Sequence, residues 1–148
     1  MSILSDKDRE LLKGKFEAEL EGEVEIAYFT QGESGMAVPG LECRECKETH
    51  ELLQDVVALS PKLVLETLDF VDQRDRAAAL GVDKIPATVL GEGGRVRFFG
   101  TLSGYEFATF VEDIISISKG VSGLSPVLQE RLEGITRPTH IQVFVTPT

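Results

Sequence analysis

The chain has 148 residues, 42% of them hydrophobic, which suits one domain of ordinary size with a real core. Its 25 acidic and 15 basic residues give a formal net charge of -10, so long-range repulsion opposes nucleic acid or an anionic membrane as a partner. The opening residues lack the basic and apolar regions of a signal peptide, and no later stretch approaches the roughly 18 to 20 apolar residues of a membrane span. We therefore expect a soluble, cytoplasmic protein.

The first 30 residues predict a helix followed by a strand. Ser5 and Asp8 have the spacing of a capping box, and the apolar residues after them recur every four positions towards Gly22. Over residues 23–30, apolar side chains alternate with the period of two that is typical of a strand. Glycines and prolines then mark residues 31–42 as a long loop.

Both cysteines of the chain, Cys43 and Cys46, follow this loop. A pair separated by two residues cannot join distant parts of a fold, and in a reducing compartment it is more often redox-active or metal-binding than a permanent bridge. A helical stripe of apolar residues follows the pair and ends at Ser60-Pro61. At the start of this helix, the sulfur of Cys43 would lie over unpaired backbone amides, which stabilise a thiolate. Cys43 is therefore the candidate nucleophile, and Cys46, which we expect to be buried, is the candidate resolving thiol.

The next elements predict a mixed sheet. They are a strand over 63–70 covered on both faces, a short helix over 73–80, a hairpin of 87–90 and 95–99 around four turn residues, and a final helix to residue 118, capped by Ser103 and Glu106. After the opening helix the order is β-α-β-α-β-β-α, which favours an α/β fold with helices on both faces of the sheet.

Residues 119–148 repeat the opening of the chain. Ser125-Pro126 starts a helix, and residues 140–145 alternate like a strand in which Ile141 falls on Ile26. We predict a complete unit over 1–118, followed over 119–148 by a connector and the first helix and strand of a second, truncated unit; a single domain with an extra helix and strand is the alternative. An unpaired apolar strand associates readily, so we expect residues 139–145 to pair with a sheet edge of this molecule or of a neighbour.

The Cys43-to-Cys46 motif, Ile85-Pro86 before a hairpin strand and the final helix together resemble the thioredoxin and glutaredoxin superfamily. More narrowly, several segments resemble the glutaredoxin-like protein disulfide oxidoreductases of thermophilic archaea and bacteria, in which two thioredoxin-fold units stand in tandem. These segments are residues 5–8, 97–100, 104–107 and 112–114, and the ending 143–148.

The resemblance implies a thioredoxin fold, with a central mixed four-stranded sheet flanked by helices and an extra N-terminal helix. It also implies a thiol-disulfide oxidoreductase without a cofactor, in which Cys43 attacks, Cys46 resolves and Pro86 is a cis-proline. The cis bond would turn the backbone of Ile85 towards the substrate chain. Protein disulfides and dithiols are the implied substrates, and a thioredoxin-reductase-like flavoprotein is the implied electron donor.

Three features depart from this pattern. The loop over 31–42 is longer than expected, and Glu45 stands where such motifs often carry an aromatic or small residue. Ala27 falls near the position at which thioredoxins place a buried carboxylate. Proton transfer to Cys46 would then need water, Glu45 or Lys47.

Two other functions stay open. Cys43, Cys46 and His50 could offer three ligands to a metal ion on one helical face, but a fourth is not evident because His140 lies in the repeated segment. Alternatively, the chain is a non-catalytic unit that docks client proteins while another unit does the chemistry. The Asp69 and Asp72 pair is interpreted as a solvated strand end.

Overall fold

The computed structural model describes residues 3–32 and 42–145 of the chain. The elements in order are α1 (Asp6–Glu19), β1 (Val24–Thr30), α2 (Arg44–Val57), β2 (Leu63–Asp69), α3 (Arg74–Ala79), β3 (Ala87–Leu90), β4 (Val96–Phe99), α4 (Tyr105–Lys119) and α5 (Pro126–Glu133). Most of the predicted loop over 31–42, and the ending Thr146-Pro147-Thr148, lie outside the described residues. None of the helices in the described ranges has the length and hydropathy that a membrane span requires.

The four strands form one mixed sheet in the order β2-β1-β3-β4. β1 pairs in parallel with β2, from Val24 opposite Leu63 onwards, and antiparallel with β3, from Ile26 opposite Leu90. β3 and β4 form the predicted antiparallel hairpin. The predicted α/β architecture is confirmed, and it places β1, the strand that leads to the cysteines, between two neighbours.

Helices cover the two faces of the sheet unequally. The larger apolar cluster lies between the sheet and α1, α2 and α4, and Ile26 and Tyr28 of β1 contribute to it. The smaller cluster lies on the opposite face, where Phe29 of β1 packs with Val89 of β3 and Ala77 of α3. Successive residues of β1 thus point to opposite faces, as the alternating pattern predicted.

The prediction that the strand over 63–70 is covered on both faces is wrong. β2 is an edge strand, and the side chain of Val64 is 42% exposed. The reason is the length of α3, which has six residues and shields only part of this face. The dense apolar run therefore belongs to an edge strand that a short helix covers only in part.

The predicted capping box of Ser103 and Glu106 is also wrong. α4 begins one residue later than that box requires, with Gly104 at the N-cap and without a side-chain capping bond. Gly104 has a φ of 61°, a left-handed conformation that glycine adopts without steric cost. The turn into α4 therefore depends on this backbone conformation, which leaves Ser103 outside the cap.

The C-terminal segment forms the predicted helix but not the predicted strand. The Ser125 hydroxyl caps α5 by accepting a hydrogen bond from the amide of Leu128. Residues 139–145 have no strand pairing, and Ile141 and Phe144 are 80% and 88% exposed. Alternation alone does not make a strand, because its backbone groups need a partner edge, and this segment pairs with no strand in the described part of the chain.

Candidate active site around the cysteine pair

The two cysteines lie where the predicted nucleophile and resolving thiol should be, at the start of α2. Cys43 is the N-cap residue and Cys46 is in the first turn, so both are at the positive end of the helix dipole. They are joined by a disulfide, with 5.4 Å between their Cα atoms. The backbone amide of Cys46 donates to the carbonyl oxygen of Cys43 over 3.3 Å, which closes the turn around the pair.

The two sulfur-bearing residues differ in exposure. Cys43 is partly exposed, whereas Cys46 is buried, with 5% of its surface accessible. The predicted burial of Cys46 is confirmed. An incoming molecule can therefore approach Cys43 more readily than Cys46.

Gln31 holds the backbone at the cysteine pair. Its side-chain oxygen Oε1 accepts a 2.7 Å hydrogen bond from the amide of Cys43, so one orphan amide of the helix start has a partner. Gln31 directly follows β1, so this hydrogen bond joins the end of that strand to Cys43. Gln31 belongs to the predicted loop, and its only signal in the sequence is a polar side chain at a strand end.

Tyr28 supports the first turn of α2 from below. Its hydroxyl donates a 2.7 Å hydrogen bond to the carbonyl oxygen of Cys46, and its side chain is fully buried. Burial raises the pKa of the Tyr28 phenol, and the hydroxyls of Thr30 and Thr49 offset part of that rise. Tyr28 is therefore a neutral hydrogen-bond donor next to Cys46, a contact that its alternating strand position did not reveal.

His50 lies flat on Tyr28 and joins α2 to β2. The two rings are stacked with their centroids 5.7 Å apart and their planes at 17°. The Nε2 atom of His50 is 3.1 Å from Oγ1 of Thr67 in β2. The structure thus places the ring, half-buried, against a buried phenol.

A groove of about 560 Å³ opens beside the disulfide, between the start of α2 and the end of β2. It is lined by Thr30, Gln31, Gly32, Glu42, Cys43, Cys46, Lys47, His50, Thr67 and Asp69. Of the two residues predicted for proton transfer, Lys47 borders this groove and Glu45 does not. The Lys47 side chain is 87% exposed and its Nζ lies 3.9 Å from Glu51, so it extends into solvent.

The predicted substrate-binding residues, Ile85 and Pro86, directly precede β3 and lie beside the last residues of β1. The peptide bond between Ile85 and Pro86 is cis, as predicted. Ala87 pairs with Phe29, which sets Pro86 level with Thr30, the last residue of β1. Pro86 is buried and Ile85 is half-buried.

Cys43, Cys46 and His50 are the three residues considered above as metal ligands. The sulfur atoms of the two cysteines are bonded to each other, and one nitrogen of His50 contacts Thr67. Within residues 3–32 and 42–145, no group of three or more histidine, cysteine, aspartate or glutamate side chains is arranged to hold a metal ion. This arrangement offers a dithiol-disulfide couple.

Solved structures of similar shape include a protein disulfide oxidoreductase from Aeropyrum pernix. It is 27% identical to this chain, with a TM-score of 0.75 over 90% of this chain and 57% of its own length. The AhpF component of the alkylhydroperoxide reductase of Enterococcus faecalis is 21% identical, with a TM-score of 0.71 over 88% of this chain and 60% of its own. A separate structure of the N-terminal domain of AhpF is 22% identical, with a TM-score of 0.72 over 87% of this chain and 59% of its own.

The three similarities confirm the predicted thioredoxin fold. The first of them confirms the resemblance to protein disulfide oxidoreductases. No protein-family model and no curated protein matches the chain. The chain spans less than two thirds of the length of each of these three structures.

Proposed function

We propose that this chain is a thiol-disulfide oxidoreductase that acts on protein disulfides through Cys43 and Cys46. The observation that carries the proposal is the asymmetric pair at the start of α2, in which Cys43 is partly exposed and Cys46 is buried. The similarity to the Aeropyrum pernix protein disulfide oxidoreductase, at 27% identity, supports the same function.

The reaction begins with the reduced pair. The Cys43 thiolate attacks one sulfur of a substrate disulfide, that disulfide breaks, and the departing substrate sulfur takes up a proton. The Cys46 thiolate then attacks the sulfur of Cys43, which releases the second substrate thiol and forms the Cys43–Cys46 disulfide. Two electrons have passed from the dithiol to the substrate, and the reverse sequence oxidises a substrate dithiol.

Ile85 and Pro86 are the proposed substrate-binding residues. They directly precede β3 and lie beside the end of β1. This position supports the assignment, because the chain continues from that end of β1 towards the cysteines. An extended substrate chain there would add strand-like backbone hydrogen bonds next to the reacting disulfide.

The proposed setting is the cytoplasm, where a dithiol of this kind is regenerated by a reductant. The proposed electron donor is a thioredoxin-reductase-like flavoprotein, as the resemblance implies. One solved structure of similar shape is itself a component of a reductase.

Cysteine variants test the function. We expect the reduced chain to cleave insulin disulfides with dithiothreitol as the final reductant, and Cys43→Ser to abolish this turnover. Cys46→Ser should also stop turnover but still form a mixed disulfide at Cys43, detectable by mass spectrometry. If Cys43→Ser leaves disulfide cleavage unchanged, the oxidoreductase proposal fails and the client-docking function takes its place.

Self-association through residues 139–145 is a further part of the proposal on partners. Its support is the row of exposed apolar side chains Ile141, Val143, Phe144 and Val145. We expect sedimentation to show concentration-dependent dimers that the double change Ile141→Lys and Phe144→Lys abolishes. A monomer at all concentrations in the unchanged chain would contradict this proposal.

A further inference from the structure

The second step of the proposed reaction needs a proton acceptor. Cys46 is buried at 5% exposure and reacts as a thiolate, so its thiol proton must leave before it attacks the sulfur of Cys43. Glu45 does not border the groove at the disulfide, and the Lys47 side chain extends into solvent. Besides water, the candidate acceptors are therefore the other groups that line this groove.

We propose that His50 is the proton acceptor for the Cys46 thiol when Cys46 resolves the mixed disulfide on Cys43. This inference rests on the proposed oxidoreductase function. His50 follows Cys46 by four residues, one helical turn, and borders the same groove as both cysteines. Imidazole is the side chain that exchanges a proton most readily near neutral pH.

The contacts of His50 define which ring nitrogen is available. When Nε2 carries the hydrogen and donates to Oγ1 of Thr67, 3.1 Å away, Nδ1 is left with the lone pair that accepts a proton. Stacking on Tyr28 fixes the plane of the ring, with 17° between the two planes. The ring is thus held by β1 and β2 in one orientation next to the start of α2.

The other charged or titratable groups that face His50 are less suited to accept this proton. Burial raises the pKa of Tyr28, which keeps its proton and donates a hydrogen bond to the Cys46 carbonyl oxygen. Lys47 extends into solvent near Glu51.

Two carboxylates complete the groove. The Oδ1 atom of Asp69 accepts hydrogen bonds from the amides of Val71 and Asp72, at 2.7 and 3.0 Å, so it caps the turn after β2. Glu42 precedes the pair and is exposed. The Asp69 carboxylate is thus engaged in that turn and Glu42 faces solvent, which leaves His50 as the remaining base on the groove.

The proposed step conserves protons and electrons. The Cys46 thiol gives its proton to His50, and the resulting thiolate forms a bond to the sulfur of Cys43. The bond between Cys43 and the substrate sulfur breaks, and the departing substrate thiolate takes the proton from the imidazolium. His50 returns to its neutral form, and the two electrons end on the substrate thiol.

A rapid-quench experiment separates the two steps. The reduced chain is mixed with excess bis(2-hydroxyethyl) disulfide, quenched in acid, and the mixed disulfide at Cys43 is followed over time by mass spectrometry. His50→Gln and His50→Phe should both accumulate this intermediate, with the second step slowed at least about tenfold at pH 7, since a general base usually contributes about 10²- to 10⁴-fold. His50→Phe keeps a ring that can stack on Tyr28, so equal slowing in both variants assigns the effect to the lost nitrogen.

The pH dependence distinguishes proton transfer from a structural role. In the unchanged chain the rate of the second step should fall less steeply, as the pH drops from 7.5 to 5.5, than the thiolate fraction of a simple thiol, because a general base takes the proton from the thiol form that predominates there; in His50→Gln the rate should follow that fraction. The rate difference between His50→Gln and the unchanged chain should shrink as the pH approaches 9, where hydroxide removes the proton. A uniform slowing at every pH would overturn the inference, since it would indicate a structural effect.

Matched controls keep the outcomes distinct. His140→Gln changes the other histidine of the chain and should leave both steps unaltered. The double variant Cys46→Ser with His50→Gln should form the mixed disulfide at a rate within about twofold of that of Cys46→Ser alone, because only Cys43 reacts in that step. A normal first step with an unaltered second step in His50→Gln would overturn the inference alone, whereas the absence of any mixed disulfide would overturn the proposed function as well.

Discussion

The hydroxyl of Tyr28 donates a 2.7 Å hydrogen bond to the carbonyl oxygen of Cys46, which joins the middle of β1 to the first turn of α2. The tyrosine is fully buried and Cys46 is nearly so. The sheet therefore holds the turn that carries the inner sulfur, while the outer Cys43 meets the solvent.

Tyr28→Phe should lower the free energy of unfolding of the disulfide form by about 1 kcal/mol, the usual net contribution of one hydrogen bond. The change removes only the hydroxyl, so the ring still fills its place in the core. Urea denaturation followed by circular dichroism measures the difference. Tyr105→Phe is the control, because Tyr105 is 85% exposed and its hydroxyl should contribute nothing measurable. Equal stabilities of the two variants would show that the buried hydrogen bond is not stabilising.

A second network anchors the N-terminus to α2. The carboxylate of Asp55 forms an ion pair with Arg9, and its Oδ2 atom accepts amide hydrogens from Ile3 and Leu4 at 2.7 and 3.3 Å. Asp55→Ala removes all three interactions and should lower the free energy of unfolding by about 2 kcal/mol, since charged hydrogen bonds are stronger than neutral ones.

Denaturation of a second variant provides the comparison. Glu17→Ala removes an ion pair in which Glu17 is 67% exposed and Lys13 is 60% exposed, at 3.9 Å. Exposed pairs contribute little, so this variant should match the unchanged chain within about 0.5 kcal/mol. If Asp55→Ala were equally harmless, the anchoring role of Asp55 would be wrong.

Local patterns of the sequence predicted most of the elements and the place of both cysteines at the start of α2, and the family resemblance predicted the cis bond before the hairpin. They did not predict the contacts of Tyr28 and His50, because periodicity tells which face a side chain occupies and not which residue it meets. The strand predicted over 139–145 shows the same limit. Its alternating residues match those of β1, but β1 has neighbours on both sides and this segment pairs with none among the described strands.

Thr88 in β3 is a buried hydroxyl at the centre of the sheet. Its side chain is fully buried, lies opposite Tyr28 in the pairing of β1 with β3, and has no hydrogen-bond partner among the described residues. Thr88→Val replaces the hydroxyl by a methyl of similar size and should raise the free energy of unfolding by about 1 kcal/mol, because an unsatisfied buried hydroxyl is costly.

Thermal and urea denaturation check this gain. Thr67→Val is the matched control, since Thr67 is also in a strand but is exposed and contacts His50. It should bring no gain in stability. A loss of stability in Thr88→Val would mean that the hydroxyl has a hydrogen-bond partner in solution.

Asp113 in α4 gives the fold a pH dependence of known sign. Burial raises the pKa of this carboxyl above its ordinary value of 3.8, so the native state holds the proton at a pH where the unfolded chain has lost it. Stability from this group therefore falls as the pH rises from 3.8 through the raised pKa, and below 3.8 both states are protonated and the cost disappears.

Asp113→Asn should be more stable than the unchanged chain at pH 7, and the gain should vanish at about pH 3. Urea denaturation at both pH values measures it, with Asp72→Asn, an exposed aspartate, as the control that should show no such trend. A gain that is as large at pH 3 as at pH 7 would show that charge burial at Asp113 is not its source.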